Sequence, residues 1–223
     1  MSLKTNTFAA MKLRWKIAQA AEIRWWQSYL SGKPKADYTQ WKNNYWQNLL
    51  TQIGVSPQKN ERILDAGCGP AGIFMTFKNQ EVDAVDPLLD QYEEKLAHFD
   101  KNQYPNVRFF SQPLEKFKNK ELYDTVFCLN AINHVSDLDR CFDKLVSHTK
   151  VGGKLVVSID AHNWSFFRHL FRVVPGDILH PHQYNLEEYE SFLTNRACEI
   201  EKPVLIDKAF FFDYYVIVAK RLA

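Results

Sequence analysis

Glu61-Arg62-Ile63-Leu64-Asp65-Ala66-Gly67-Cys68-Gly69-Pro70-Ala71-Gly72 begins as an apolar run and breaks into glycines at 67, 69 and 72. An apolar strand that empties into a Gly-rich turn and then a helix opens a nucleotide-binding α/β unit. Glycine suits such a turn because it adopts backbone angles that other residues resist and lets a ligand approach the main chain. Ile73-Phe74-Met75-Thr76-Phe77-Lys78 then reads as a helix, with Pro70 suited to its first turn.

The string Gly67-x-Gly69-x-x-Gly72 matches the dinucleotide fingerprint, but such a match alone is weak. Asp65 stands two residues before the first glycine, where its carboxylate would repel a diphosphate. Pro70 removes one of the backbone N–H groups that would cradle that diphosphate. A cationic ligand without phosphate would be served by the same Asp65. Glu81-Val82-Asp83-Ala84-Val85-Asp86 reads as the second strand, and Asp86 stands where a ribose diol is gripped. That residue fits either ligand class.

Taken together, these motifs resemble those of the class I S-adenosyl-L-methionine-dependent methyltransferases, whose donor carries an ammonium and a sulfonium. Asp65 to Pro70 resembles the family's first motif, and Asp86 falls at its ribose-binding acid. Val107 to Glu115 resembles its third motif, and Tyr123 to Val135 its fourth strand with the turn that follows. Val151 to Ser158 resembles the turn into its fifth strand. The resemblance runs from Glu61 to about Ala223 and is nearest to the small-molecule branch that includes the ubiquinone O-methyltransferases. It implies that Asp65, Gly67, Cys68 and Gly69 hold the methionine end of the donor, and that Asp86 and Pro87 hold the ribose. Leu114 and Glu115 would flank the adenine, and Leu129 and Asn130 would run beside the sulfur. Four departures stand out. Ala71 replaces a common glycine. Gln112 and Pro113 replace an acid that often touches the adenine amine. Asn130 and Asn133 stand where the branch often has Glu. No Asn- or Asp-Pro-Pro-aromatic motif follows the fourth strand, which counts against methylation of a nucleic-acid base.

At 223 residues and net charge +2, the chain suits one medium domain with an appendage and offers no basic face for nucleic acid. Cys68, Cys128, Cys141 and Cys198 lack metal or redox spacing and read as reduced, partly buried thiols of a cytoplasmic protein. The N-terminus has no uninterrupted apolar stretch, and the apolar run from Ala209 to Ala219 is too short to span a bilayer. No stable membrane insertion is expected.

Residues 1–54 differ in kind, holding Trp15, Trp25, Trp26, Trp41 and Trp46. Thr7 to Leu30 reads as one helix and about Ala36 to Ile53 as a second, with Asp37 able to cap it and Gly54 stopping it. Most of these tryptophans suit a hairpin docked on the domain. A surplus on both faces also suits a lid over the cleft, a role the resemblance implies, or a homodimer interface. The division is therefore 1–54, helical lid, and 55–223, methyltransferase domain.

From Glu61 onward, strands alternate with helices over 88–99, 136–150 (capped by Ser136) and 186–193. Two final strands, 198–206 and 210–219, form a hairpin. The expected fold is an α/β, Rossmann-like, seven-stranded methyltransferase sheet with helices on both faces. Asp65, Asp86, Asn130 and Asp160 are strand ends and should share one edge.

Transfer of a methyl group needs in-line positioning and exclusion of water more than a protein nucleophile. A base is needed where the acceptor is a hydroxyl. His134 and His182 are the candidates; His180 and His182 flank Pro181, and no third metal ligand is spaced to join them. The stretch from Ala161 to Val174 reads either as a solvated amphipathic helix or as an apolar acceptor wall with a basic rim. The expected function is methyl transfer to a small, hydrophobic or aromatic acceptor. A non-catalytic binding module and an NAD-dependent oxidoreductase are the alternatives.

Overall fold

The computed structural model describes residues 18–162, 184–208 and 212–223. His180, His182 and most of the 161–174 stretch lie outside the described residues. Strands β1 (Arg62–Ala66), β2 (Glu81–Val85), β3 (Val107–Phe110), β4 (Tyr123–Cys128), β5 (Thr149–His162), β6 (Cys198–Lys208) and β7 (Phe212–Arg221) form one sheet. Its order is β3-β2-β1-β4-β5-β7-β6. The first five strands are parallel, and β7 runs antiparallel between β5 and β6.

Consecutive residues of a strand point to opposite faces, so a sheet covered on both sides needs near-continuous apolar strands. β1 shows this: Ile63 enters one core and Leu64 the other. Helix α1 (18–30), α2 (Lys35–Ile53) and α3 (Leu89–Lys95) cover the Ile63 face through Ile23, Leu30, Trp46, Leu49 and Leu89. Helices α4 (Leu138–His148) and α5 (Leu186–Thr194) cover the Leu64 face through Phe142, Leu145, Tyr189 and Leu193.

The helix expected over 73–78 is absent. Two short 3-10 turns, Gly69–Ala71 and Ile73–Thr76, take its place, separated by an extended Gly72 at φ −74° and ψ 179°. The buried Asp65 carboxylate accepts the Phe74 N–H at 3.0 Å, which pins the second turn back onto the strand end. Helix α2 lies against this turn, and its Trp46 donates Nε1–H to the Ala71 carbonyl at 3.0 Å.

Two caps also differ from expectation. Asp37 sits in the first turn of α2 and makes no cap, because the helix starts after Pro34. Asp137, not Ser136, caps α4 by accepting the Arg140 N–H, since Ser136 is drawn to Glu115. Gly54 ends α2 in the left-handed region, as its position suggested. The four cysteines are buried and free of disulfides. Among the described residues, no helix is long and apolar enough to cross a membrane.

Candidate active site

The turn after β1 is held from below by β2. Gly67 and Cys68 donate their N–H groups to the Val85 carbonyl at 2.7 and 3.2 Å. Asp86, one residue beyond β2, accepts the Gly69 N–H at 3.1 Å and the Leu88 N–H at 2.8 Å. The carboxylate thereby joins the Gly turn to the start of α3.

Gly67 and Gly69 both lie at positive φ, +73° and +57°. At Gly69 the space beyond the Cα is open, whereas a methyl group at Gly67 would collide with Ala131 of the loop after β4. Gly69→Ala should therefore cost only the left-handed backbone penalty, about 1–2 kcal/mol. Gly67→Ala should cost a further ~1–3 kcal/mol of overpacking. Urea unfolding midpoints of the two variants check the difference.

Helices α1 and α2 bring three side chains to this edge: Trp46, already noted among the N-terminal tryptophans, and Glu22 and Lys42, which sequence reasoning did not single out. Glu22 accepts the Tyr92 hydroxyl at 2.6 Å and acts electrostatically on Asp86. Lys42 lies under the Tyr45 and Trp46 rings, its Nζ 4.6 and 4.5 Å from their centroids, with Asp65 as its acidic neighbour. Trp46 closes on Ala71. Lys42, Tyr45 and Trp46 follow the i, i+3, i+4 spacing of one helix face, and that was the available signal. Nothing in the sequence said which sheet edge that face would meet.

Burial dominates the electrostatics. It raises Asp65 to about 7 and, helped by the charge of Glu22, raises Asp86 to about 7 as well. Burial lowers Lys42 to about 8 despite Asp65. It also keeps the Cys68 thiol protonated, with the nearby Asp65 and Asp86 adding to the effect. Carboxylates raised above their unfolded values stabilise the fold most at low pH, and that contribution is lost as pH rises through about 7. The ligand-free protein should therefore lose thermal stability progressively from about pH 4, where the unfolded carboxylates ionise, up to about pH 7, and level off above that. A ligand that pairs an ammonium or a diol with these carboxylates favours their charged forms. Its binding should release protons near neutrality, and its stabilising shift should grow across the same interval. Calorimetry in buffers of different ionisation enthalpy, with melting curves at each pH, measures both effects.

The remaining expected residues fall on neighbouring loops. Leu129 is buried at the end of β4, and Asn130 sits at φ +55° with its N–H on Ser158 Oγ at 2.7 Å. Pro87 is half-buried beside Asp86. Leu114 packs into the core on the α4 side, and Glu115 Oε1 accepts the Ser136 N–H at 3.0 Å and its hydroxyl at 2.8 Å. His134 is exposed on the turn Ile132–His134.

The region 64–155 matches the model of the methyltransferase domain family. A ubiquinone biosynthesis O-methyltransferase of Rickettsia typhi is 30% identical over 135 residues, covering 59% of this chain and 54% of that protein. The chain thus spans about half the length of the curated relatives it matches. Among solved structures, the magnesium protoporphyrin IX methyltransferase of Synechocystis, with bound S-adenosylhomocysteine, superposes with a TM-score of 0.62 at 18% identity. That match covers 95% of this chain and 99% of the other. The 1,6-didemethyltoxoflavin-N1-methyltransferase of Burkholderia thailandensis, holding its acceptor and S-adenosylhomocysteine, gives 0.61 at 13% identity, covering 98% and 90%. At such identities the structural likeness speaks for the fold. The Gly turn joined to Asp86, the 3-2-1-4-5-7-6 sheet and the matched domain lead to one conclusion: residues 64–155 match the methyltransferase domain family, and the chain resembles the class I S-adenosylmethionine-dependent methyltransferases of the ubiquinone-type, small-molecule branch.

Proposed function

We propose that the protein transfers a methyl group from S-adenosyl-L-methionine to a small, hydrophobic or aromatic acceptor by in-line displacement. The observation that carries this reading is the buried Asp86 carboxylate bridging the Gly69 and Leu88 N–H groups at the sheet edge. Its remaining lone pairs suit a ribose diol. The methionine end of the donor lies along Asp65, Gly67, Cys68 and Gly69, and Pro87 flanks the ribose. Leu114 and Glu115 border the adenine, and Leu129 and Asn130 the sulfur. The short 3-10 turns after β1 favour this donor over a dinucleotide, because a full helix N-terminus, with its dipole and aligned N–H groups, is what a pyrophosphate needs.

Residues 1–54 act as a lid, with Glu22, Lys42 and Trp46 on its inner side, over a methyltransferase domain of residues 55–223. Lys42 supplies the cation for the donor's carboxylate. His134 and His182 remain the base candidates named from sequence. The exposed Trp25 and Trp41 are the surface for a homodimer through the N-terminal helices, which sedimentation velocity of the wild type against a Trp25→Ser, Trp41→Ser variant reads.

The test is calorimetric titration with S-adenosylhomocysteine, with NADH as control. Micromolar binding of the first and none of the second is the expected result. Tight NADH binding, or no binding of S-adenosylhomocysteine, overturns the reading.

A further inference from the structure

A second polar cluster stands at the same sheet edge, beyond the residues assigned to the donor. Tyr189 of α5, fully buried, donates its hydroxyl to Asn133 Oδ1 at 2.9 Å. Asn133, also buried, donates Nδ2–H to Asp160 Oδ2 at 3.0 Å. Asp160 is half-buried at the end of β5. Among the described residues only Asn133 bonds it, and no cation lies within ion-pair distance.

Directly opposite Asp160 in the β5–β7 ladder is Tyr214, so the two side chains share a face. The Tyr214 hydroxyl is shut off from solvent and completes no hydrogen bond, although the hydroxyls of Ser158 and Tyr45 lie beside it. Ser158 already accepts the Asn130 N–H. Tyr45 belongs to the α2 face that carries Lys42 and Trp46 onto the Gly turn.

A buried hydroxyl left without a partner costs on the order of 1–3 kcal/mol, so it calls for a ligand or another compensation. A polar staple serving only the fold would close on itself. This one runs from a buried phenol through an amide and ends on a carboxylate with a free oxygen. Building on the methyl-transfer reading above, we propose that Asp160 and Tyr214 receive the acceptor: Asp160 Oδ1 holds the proton of the heteroatom to be methylated, and the Tyr214 hydroxyl donates to an oxygen or nitrogen of the same molecule. The acceptor is then a protic molecule, bearing O–H or N–H. As the heteroatom's lone pair bonds to the methyl carbon, the carbon–sulfur pair stays on sulfur and the acceptor's proton passes to Asp160, which takes the base role in place of His134 and His182. Asn133 and Tyr189 are positioning residues that fix the carboxylate's orientation.

The test uses the full chain saturated with S-adenosylhomocysteine and two probes that differ in one proton, 4-fluorophenol and 4-fluoroanisole, followed by fluorine NMR. The phenol should bind about tenfold tighter than the ether, the worth of one hydrogen bond to a charged group. Asp160→Ala, which leaves no acceptor, should erase that preference. Tyr214→Phe should weaken the phenol several-fold. Both variants should keep wild-type affinity for S-adenosylhomocysteine, a readout that a loss of folding would move. Equal binding of the two probes, binding of neither, or a preference that survives in Asp160→Ala would overturn the proposal; if Asp160→Ala does not fold, an unchanged phenol affinity in Tyr214→Phe would do so. Failure of S-adenosylhomocysteine to bind the wild type would instead sink the donor assignment, so the two failures are told apart.

Discussion

Asp86→Ala should weaken S-adenosylhomocysteine binding by at least about a hundredfold. Two hydrogen bonds from a diol to a carboxylate are each worth about 1.5–3 kcal/mol, and every 1.4 kcal/mol is a factor of ten. The variant also frees the Gly69 N–H, so part of the loss comes from a looser turn. Asp86→Asn separates the two contributions. The two N–H groups bond different carboxylate oxygens, so Asn keeps an acceptor for only one of them and cannot carry charge; its loss should be smaller than that of Ala and should lack the proton release that the wild type gives near neutrality. Titration calorimetry of the three proteins at two pH values gives the comparison. Equal affinity in all three would remove Asp86 from the donor site.

Asp83→Ala should produce the largest loss of stability while leaving donor affinity per folded molecule unchanged. Asp83 lies on β2 opposite Arg108 of β3 and is 2% exposed. Its carboxylate receives Arg108 Nε and Nη2 at 2.6 and 2.8 Å, Asn119 Nδ2 at 2.9 Å and the Tyr123 hydroxyl. Removing one member of such a set strands the others, at about 3–5 kcal/mol when the partners are fully buried. Arg108 is half-exposed and retains Glu121, which argues for the lower end, about 3 kcal/mol. For a chain of this size, that is a fall of about 6–12 °C in melting temperature. Melting curves with and without S-adenosylhomocysteine check both halves: the midpoint should drop, and the ligand-induced shift should persist.

Parallel strands buried on both faces must be nearly all apolar, and the turns between them need glycine or a capping acid. Those demands are local, so β1 to β5, the turn at Gly67 and Gly69, and Asp86 were legible from the chain alone. So was the C-terminal hairpin that completes the sheet. The 73–78 segment was misread for a local reason with a distant cause. Its composition allows a helix, but an extended Gly72, the Asp65 carboxylate on the Phe74 N–H and the α2 helix lying against it leave only 3-10 turns. The partners of Asp65, Glu22 and Lys42 lie 9 to 70 residues apart in sequence, and no periodicity encodes which helix face meets which sheet edge. The same holds for Tyr214 and Asp160. Asp160 was expected at the ligand edge as a strand end, but Tyr214 looked like an ordinary strand residue until the antiparallel insertion of β7 beside β5 set a phenol opposite a carboxylate. Strand patterning follows from the demand for burial, which each residue meets by itself. The site depends on contacts between distant elements, and those exist only once the chain has packed.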